Sequence, residues 1–273
     1  MSPAERLKGR SGAPQSTGAV WRDILVWSAF FIAFSPLLLD LFRHVLAHPW
    51  AGYGLLFAVL LVARANREPS RGLSHRDGYA LLAGGLVLQA LAVGGGFTRW
   101  GRLAIPLGVM GLARLLGRPS PRVAALAFWA VPLPNFIAAA GSPLLERFWL
   151  EGAAMQLAPL ATIVVEGTKA TAPHGVLALD AVSGGLPLAA LLSGLGWVSA
   201  LDAWRGVGSA LRTAALWGLA ALPLQALGVL VALALSVGGA PAAAQAWLSW
   251  GIFLAAAAAG LAIALRSGSP VRE

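Results

Sequence analysis

Residues Leu177–Leu188 read LALDAVSGGLPL, a polar turn that runs directly into an apolar segment. No charged residue follows from Val182 to Ala200, a length close to the roughly 20 residues that a helix needs to cross a bilayer. Backbone groups in lipid must be satisfied within the segment, so such a run is a helix. Working outward, the chain repeats the pattern at Ile24–Leu41, Trp50–Ala63, Tyr79–Val93, Leu103–Leu116, Val123–Ala140, Thr213–Val237 and Ala243–Leu265. The expected fold class is all-α, a polytopic integral membrane bundle of about eight transmembrane helices. Pro132 and Pro134 are expected to kink the fifth of these runs.

Composition points the same way. The chain is 58% hydrophobic and 11% charged, with mean hydropathy +0.74, where a soluble domain carries about a quarter charged residues. Its net charge of +9 suggests a nucleic-acid partner until its distribution is considered. The basic residues lie in short loops between apolar runs, which is the signature of membrane topology, and no nucleic-acid partner is expected. There is no cysteine, so disulfides, thiolate metal sites and cysteine nucleophiles are excluded. HExxH, Walker and Rossmann fingerprints are also missing from the sequence. No metal or cofactor is called for, although a bound lipid or pigment is compatible with the composition. His44 and His48 have the i, i+4 spacing of a shared metal or pigment, but a turn precedes Pro49 and two histidines underdetermine a site, which favours an interfacial role.

Eight spans with both ends inside place fifteen of the twenty Lys and Arg residues on the inner side, leaving Arg43, Arg99, Arg102, Arg147 and Lys169 outside. Residues 1–22 then form a cytosolic tail, 23–267 a single membrane domain and 268–273 a second cytosolic tail. The polar, basic start has no apolar core close behind it and reads as a tail rather than a cleaved signal. Within Ser142–Lys169, the stripe of Leu144, Leu145, Phe148 and Trp149 opposes Glu146, Arg147 and Glu151. This predicts an amphipathic helix on the outer surface near 143–156, while Leu157–Val165 is too short to span. Trp21, Trp50, Trp100, Trp197, Trp204 and Trp250 fall near span ends, as an interfacial aromatic belt would place them.

The order of the motifs resembles the exosortase/archaeosortase family of membrane transpeptidases over most of the chain, roughly Trp27–Gly260. HPWAGYGLLFAVLLVARANRE resembles the family's early Tyr-x-x-Gly-Leu-Leu segment. AVPLPNF, followed by a long outer stretch into EGTKATAPHGVLALDAVSGGLPL, resembles the run leading to its Ala-Cys-Ser-Gly-Leu-Arg motif. Pro223 within ALPLQALGVLVAL resembles the helix that carries an Asn and an Arg, and Trp247–Gly251 resembles the final His-x-x-x-Gly element. The resemblance implies a site at the outer ends of the last three spans, where a Cys nucleophile, an oxyanion-steadying Arg and a His acid/base cleave C-terminal sorting signals.

In this chain the Cys position is Val182, the motif Arg is Leu186, the second Arg falls at about Ala232 and the His at Trp247. Every one is apolar. A valine cannot attack a carbonyl, and apolar neighbours offer an oxyanion no donor. Ser183 and His174 are the remaining candidates for a nucleophile and base, against a helix cap for Ser183 and a solvated loop for His174. Asp180 matches the acidic residue often found before the family's Cys. The expectation is therefore a catalytically inactive exosortase-like protein of a prokaryotic inner membrane, its degenerate site facing outside. It would act by binding, as an accessory or scaffold subunit of a larger complex. Membrane lipids and a membrane protein or its transmembrane helix are the expected partners. Gly184, Gly185, Gly194, Gly251 and Trp250 supply surfaces for close helix approach. The alternatives are a diverged peptidase using Ser183 and a small-molecule or lipid transporter. The transporter is disfavoured because no predicted span carries a charge near its centre.

Overall fold

The structure is a computed structural model that describes residues 17–65, 75–97, 101–117, 120–132, 135–179, 185–202 and 206–266, with the side chains of some helical residues outside that description. Helix α1 covers Thr17–Ala33 and α2 covers Ser35–Ala47, so the first apolar run is two helices, bent by 69° at the break. Pro36 explains the break, since it lacks the N–H an uninterrupted helix would need there and its ring crowds the preceding turn. The Gln89 side-chain amide donates to the Ala33 carbonyl at that break. Phe30 and Phe34 stack across it with ring centroids 4.4 Å apart.

A 3-10 turn at Pro49–Gly52 leads into α3 (Tyr53–Ala65), and α4 (His75–Gly94) packs along α5 (Ala104–Leu116). Glycine permits that contact: a Cβ at Gly85 would sit 3.1 Å from the Ala104 carbonyl oxygen and the Gly108 nitrogen. Just before α5, the Arg102 Nε donates to Asp40 Oδ2 of α2 at 2.7 Å, and Arg102 is only 4% exposed.

The fifth run departs from expectation. It splits into α6 (Pro121–Ala124) and α7 (Leu126–Ala130), and the backbone is extended at Val131. The chain becomes helical again at Asn135 as α8 (Asn135–Leu157), which absorbs both the end of the expected span and the expected surface helix. Pro132 therefore lies in a break between helices, not within a kink. The last three helices are α9 (Leu186–Asp202), α10 (Val207–Val237) and α11 (Ala242–Arg266).

After α8 the described residues 158–179 are not helical. β1 (Val164–Glu166), β2 (Lys169–Ala172) and β3 (Gly175–Ala178) form an antiparallel sheet in the order β1-β2-β3, which corrects the all-α expectation for this segment. Gly167, at φ +61, makes the first turn. Among the described residues, Arg76–Gly94 and Val207–Val237 are long and apolar enough to cross a membrane, and the bent pair α1–α2 makes a third if it is one span. At 31 residues, α10 is about 46 Å long at 1.5 Å per residue. It exceeds a hydrocarbon core of about 30 Å. Its C-terminal part packs against the sheet.

Candidate functional site

The resemblance places its site where the outer segment meets the last three helices. Three elements converge there, and the contact is apolar. Leu150 and Ala153 of α8, Ala170 and Leu177 of the sheet, and Val229, Ala232 and Leu233 of α10 form one buried cluster, against which Leu179 and Leu248 also pack. Ala232 is 1% exposed within it. Leu248 directly follows Trp247, whose backbone lies in α11 but whose side chain is outside the described residues.

Val182, Ser183, Gly184 and Asp180 fall outside the described residues. Gly185 is the first residue past that gap. Its φ of +85 suits glycine, and a Cβ added there would meet Gln225 Cγ at 3.0 Å. Leu186 opens α9 half-buried, with Cδ1 3.0 Å from where a Cβ on Gly141 would stand. His174 is exposed in the turn between β2 and β3, its Cβ lying 3.6 Å from a Cβ built on Gly239 of the α10–α11 connection. Ser236 Oγ, fully buried near Gly175, has no hydrogen-bond partner among the described residues. The structure thus brings Gly185 against α10 and Leu186 against α8, buries Ala232 within α10, and leaves His174 in the exposed turn of the sheet.

Of the residues expected to offer surface, Gly194 is taken up internally, because a Cβ there would run into the Phe57 ring. Trp250 is half-buried, its ring edge-on to Phe253 at 6.1 Å. Gly251 is exposed, with nothing within 4 Å of an added Cβ. Two members of the expected aromatic belt are core residues instead. Trp50 is buried, and Trp197 is buried with its indole Nε1 donating to the Arg122 carbonyl at 3.1 Å. Trp100 and Trp204 lie outside the described residues. His44 is buried too, its ring 4.8 Å from His48 and 5.7 Å from Trp50, in an aromatic cluster at the end of α2. Among the described residues no group of three or more His, Asp or Glu side chains could hold a metal.

Sequence reasoning missed a buried polar set beside this cluster. The inward face of α8 is Ser142, Glu146, Leu150 and Ala153; Leu144, Phe148 and Met155 are exposed, as a stripe turned to a membrane would be, and the departure from expectation is Glu146, which is buried. Glu146 is 4% exposed and Gln225 of α10 is 5% exposed. Leu150 shares a cluster with Val229 and Ala153 with Ala232; four residues back on both helices, the same register carries Glu146 to the level of Gln225. The Ser142 Oγ, one turn before Glu146, is buried with no hydrogen-bond partner among the described residues. The i, i+4, i+8 spacing of Ser142, Glu146 and Leu150 was the available signal. On the outer side Arg147 pairs with Glu151 at 2.7 Å. The hydrogen bond that Arg147 donates to Glu151, and then the carboxylate's charge, raise the guanidinium above its ordinary value, opposed by desolvation.

No protein-family model matches the chain, and no curated protein or solved structure does either. The functional reading stands on its residues.

Proposed function

We propose that this chain is an exosortase-like integral membrane protein that acts by binding, as an accessory or scaffold subunit of a larger complex in a prokaryotic inner membrane. In this reading eight helices span, both termini are inside and the degenerate site faces outward. The supporting observation is the packing around Ala232. Where the family would need polar groups, the sheet, α8 and α10 meet in a closed apolar cluster. A site that had kept its chemistry would need donors and a base within reach of one another. A site that has become a scaffold is expected to fill with packing.

Purification in mild detergent tests the proposal. A membrane protein is expected to accompany the chain at fixed stoichiometry and to be lost when surface positions such as Gly251 are enlarged. A lone monomer with nothing accompanying it overturns the reading.

The buried Glu146 favours a second reading, a diverged peptidase with Ser183 as nucleophile. Glu146 lies on the buried face of α8, little more than one turn beyond the Gly141–Leu186 contact. Ser183→Ala and Glu146→Gln, made in cells with a tagged candidate substrate, decide it. Unchanged processing in both ends this second reading.

A further inference from the structure

A cavity away from the degenerate site lies in the angle opened by the bend between α1 and α2. It is a groove of about 580 Å³ walled by α1, α2, α3, α5 and α7, within the range of small-ligand sites, about 300–1,000 Å³. Trp27, Phe31, Leu55, Leu61, Val62 and Ile105 are among its lining side chains. Phe31, Leu55 and Val62 are more than half exposed at 55%, 56% and 62%, so the groove opens along the surface that faces lipid in a membrane. One titratable side chain lines it, the half-buried Asp23. Asp23 begins the apolar part of α1 and Ala65 ends α3, so charge stands at one end of an otherwise apolar slot. Counting basic residues puts that end at the inner face.

We propose that this groove holds one acyl chain of a phosphatidylethanolamine from the inner leaflet, with the headgroup ammonium hydrogen-bonded at Asp23. The chemistry selects this lipid. A primary ammonium has N–H donors and a positive charge for a carboxylate. A choline headgroup has the charge without the donors. A phosphatidylglycerol headgroup has hydroxyl donors but no positive charge, and its phosphate leaves it net negative. The slot beyond Asp23 offers nothing polar, which suits hydrocarbon and no soluble metabolite. The inference rests on the membrane reading of α1–α3 and is independent of the exosortase resemblance, so either can fail alone.

Trp27 supplies the readout. The full chain is placed in nanodiscs of phosphatidylcholine doped at equal bromine content with brominated phosphatidylethanolamine, phosphatidylcholine or phosphatidylglycerol. The Trp27 contribution is the difference in quenching between the wild type and Trp27→Phe. Brominated phosphatidylethanolamine is expected to quench that component about two- to fivefold more strongly than the other two, the scale of a partly exposed ion pair. Asp23→Asn is expected to abolish the preference while leaving acyl-chain quenching in place. Ala58→Phe, or Ala58→Leu if the larger residue prevents folding, is expected to fill the slot and reduce quenching by all three lipids. Equal quenching by all three in the wild type, or a preference that survives Asp23→Asn, overturns the headgroup assignment. Quenching that ignores Ala58→Phe and Ala58→Leu shows that Trp27 senses only bulk bilayer, and overturns the site.

Discussion

Ala232 and Gly194 carry the sharpest consequences at the level of single residues. Ala232→Arg restores the polar residue that the family resemblance implies at that position. It would place a charge in a cluster of Leu, Val and Ala side chains, and the insertion scale puts the cost at about 2.5–3.5 kcal/mol. A lower thermal midpoint in detergent is expected. An arginine accepted without loss would mean a polar groove and would count against the binding reading. Gly194→Ala drives a Cβ into the Phe57 ring and is expected to cost about 1–3 kcal/mol by overpacking. Phe57→Leu in the same molecule should return part of the loss; additive losses would show that the two do not touch. Gly194 was legible as a small residue on the sixth apolar run. What it accommodates was not, because composition names a small residue without naming the neighbour that needs the space.

At the scale of elements, hydrophobic runs locate helices well and faces badly. α5, α10 and α11 begin and end close to their apolar runs. α8 departs from the expected division of its faces at Glu146, which is buried, for a physical reason. In lipid the outward side of a helix is its most apolar side, while the side packed on protein accepts small and polar residues. Leu144 and Phe148 therefore face out and Glu146 faces in. The sheet was hidden because Val164 and Val165 were read as part of a short hydrophobic segment. The turn around Gly167 and the β-branched Thr171 and Val176 were its only signals.

The Pro36 break offers an element-level test. Gln89→Leu leaves the Ala33 carbonyl without its amide donor and is expected to cost about 1–3 kcal/mol. Pro36→Ala, by letting the helix close its own hydrogen bonds, should recover part of that in thermal unfolding; if Gln89→Leu alone is silent, the amide does not support the break. The Arg147–Glu151 pair has a definite sign. A base raised above its unfolded value contributes fully below that value and loses the contribution only as pH climbs past the folded one. On the arginine side, then, titration across the neutral range should leave stability unchanged, and a neutral-range transition removed by Arg147→Ala would contradict this.

For the whole molecule, the absence of cysteine makes topology directly measurable. If the proposed topology holds, His174→Cys, in the exposed turn of the sheet, is expected to react with an impermeant maleimide in intact cells. Gly208→Cys, near the start of α10, is expected to react only after permeabilisation. The reverse pattern would invert the orientation, and labelling of both from outside would remove one or more of the eight spans. Charge distribution was enough to set this expectation. It could not show which apolar runs are single helices, since the first is bent at Pro36 and the fifth is broken at Val131.

The Asp40–Arg102 ion pair also bears on how the chain is made. The two residues are 62 positions apart, and at about 5–20 residues per second the arginine emerges some seconds after the aspartate. During that interval the first hydrophobic stretch carries a carboxylate without the partner that neutralises it in the finished protein. A nascent segment in that condition is expected to insert less readily until Arg102 is made and can pair with it. Arg102→Leu should therefore act first on biogenesis: more chains arrested or wrongly oriented at the first stretch, seen by pulse-labelling, with the correctly inserted remainder still folded.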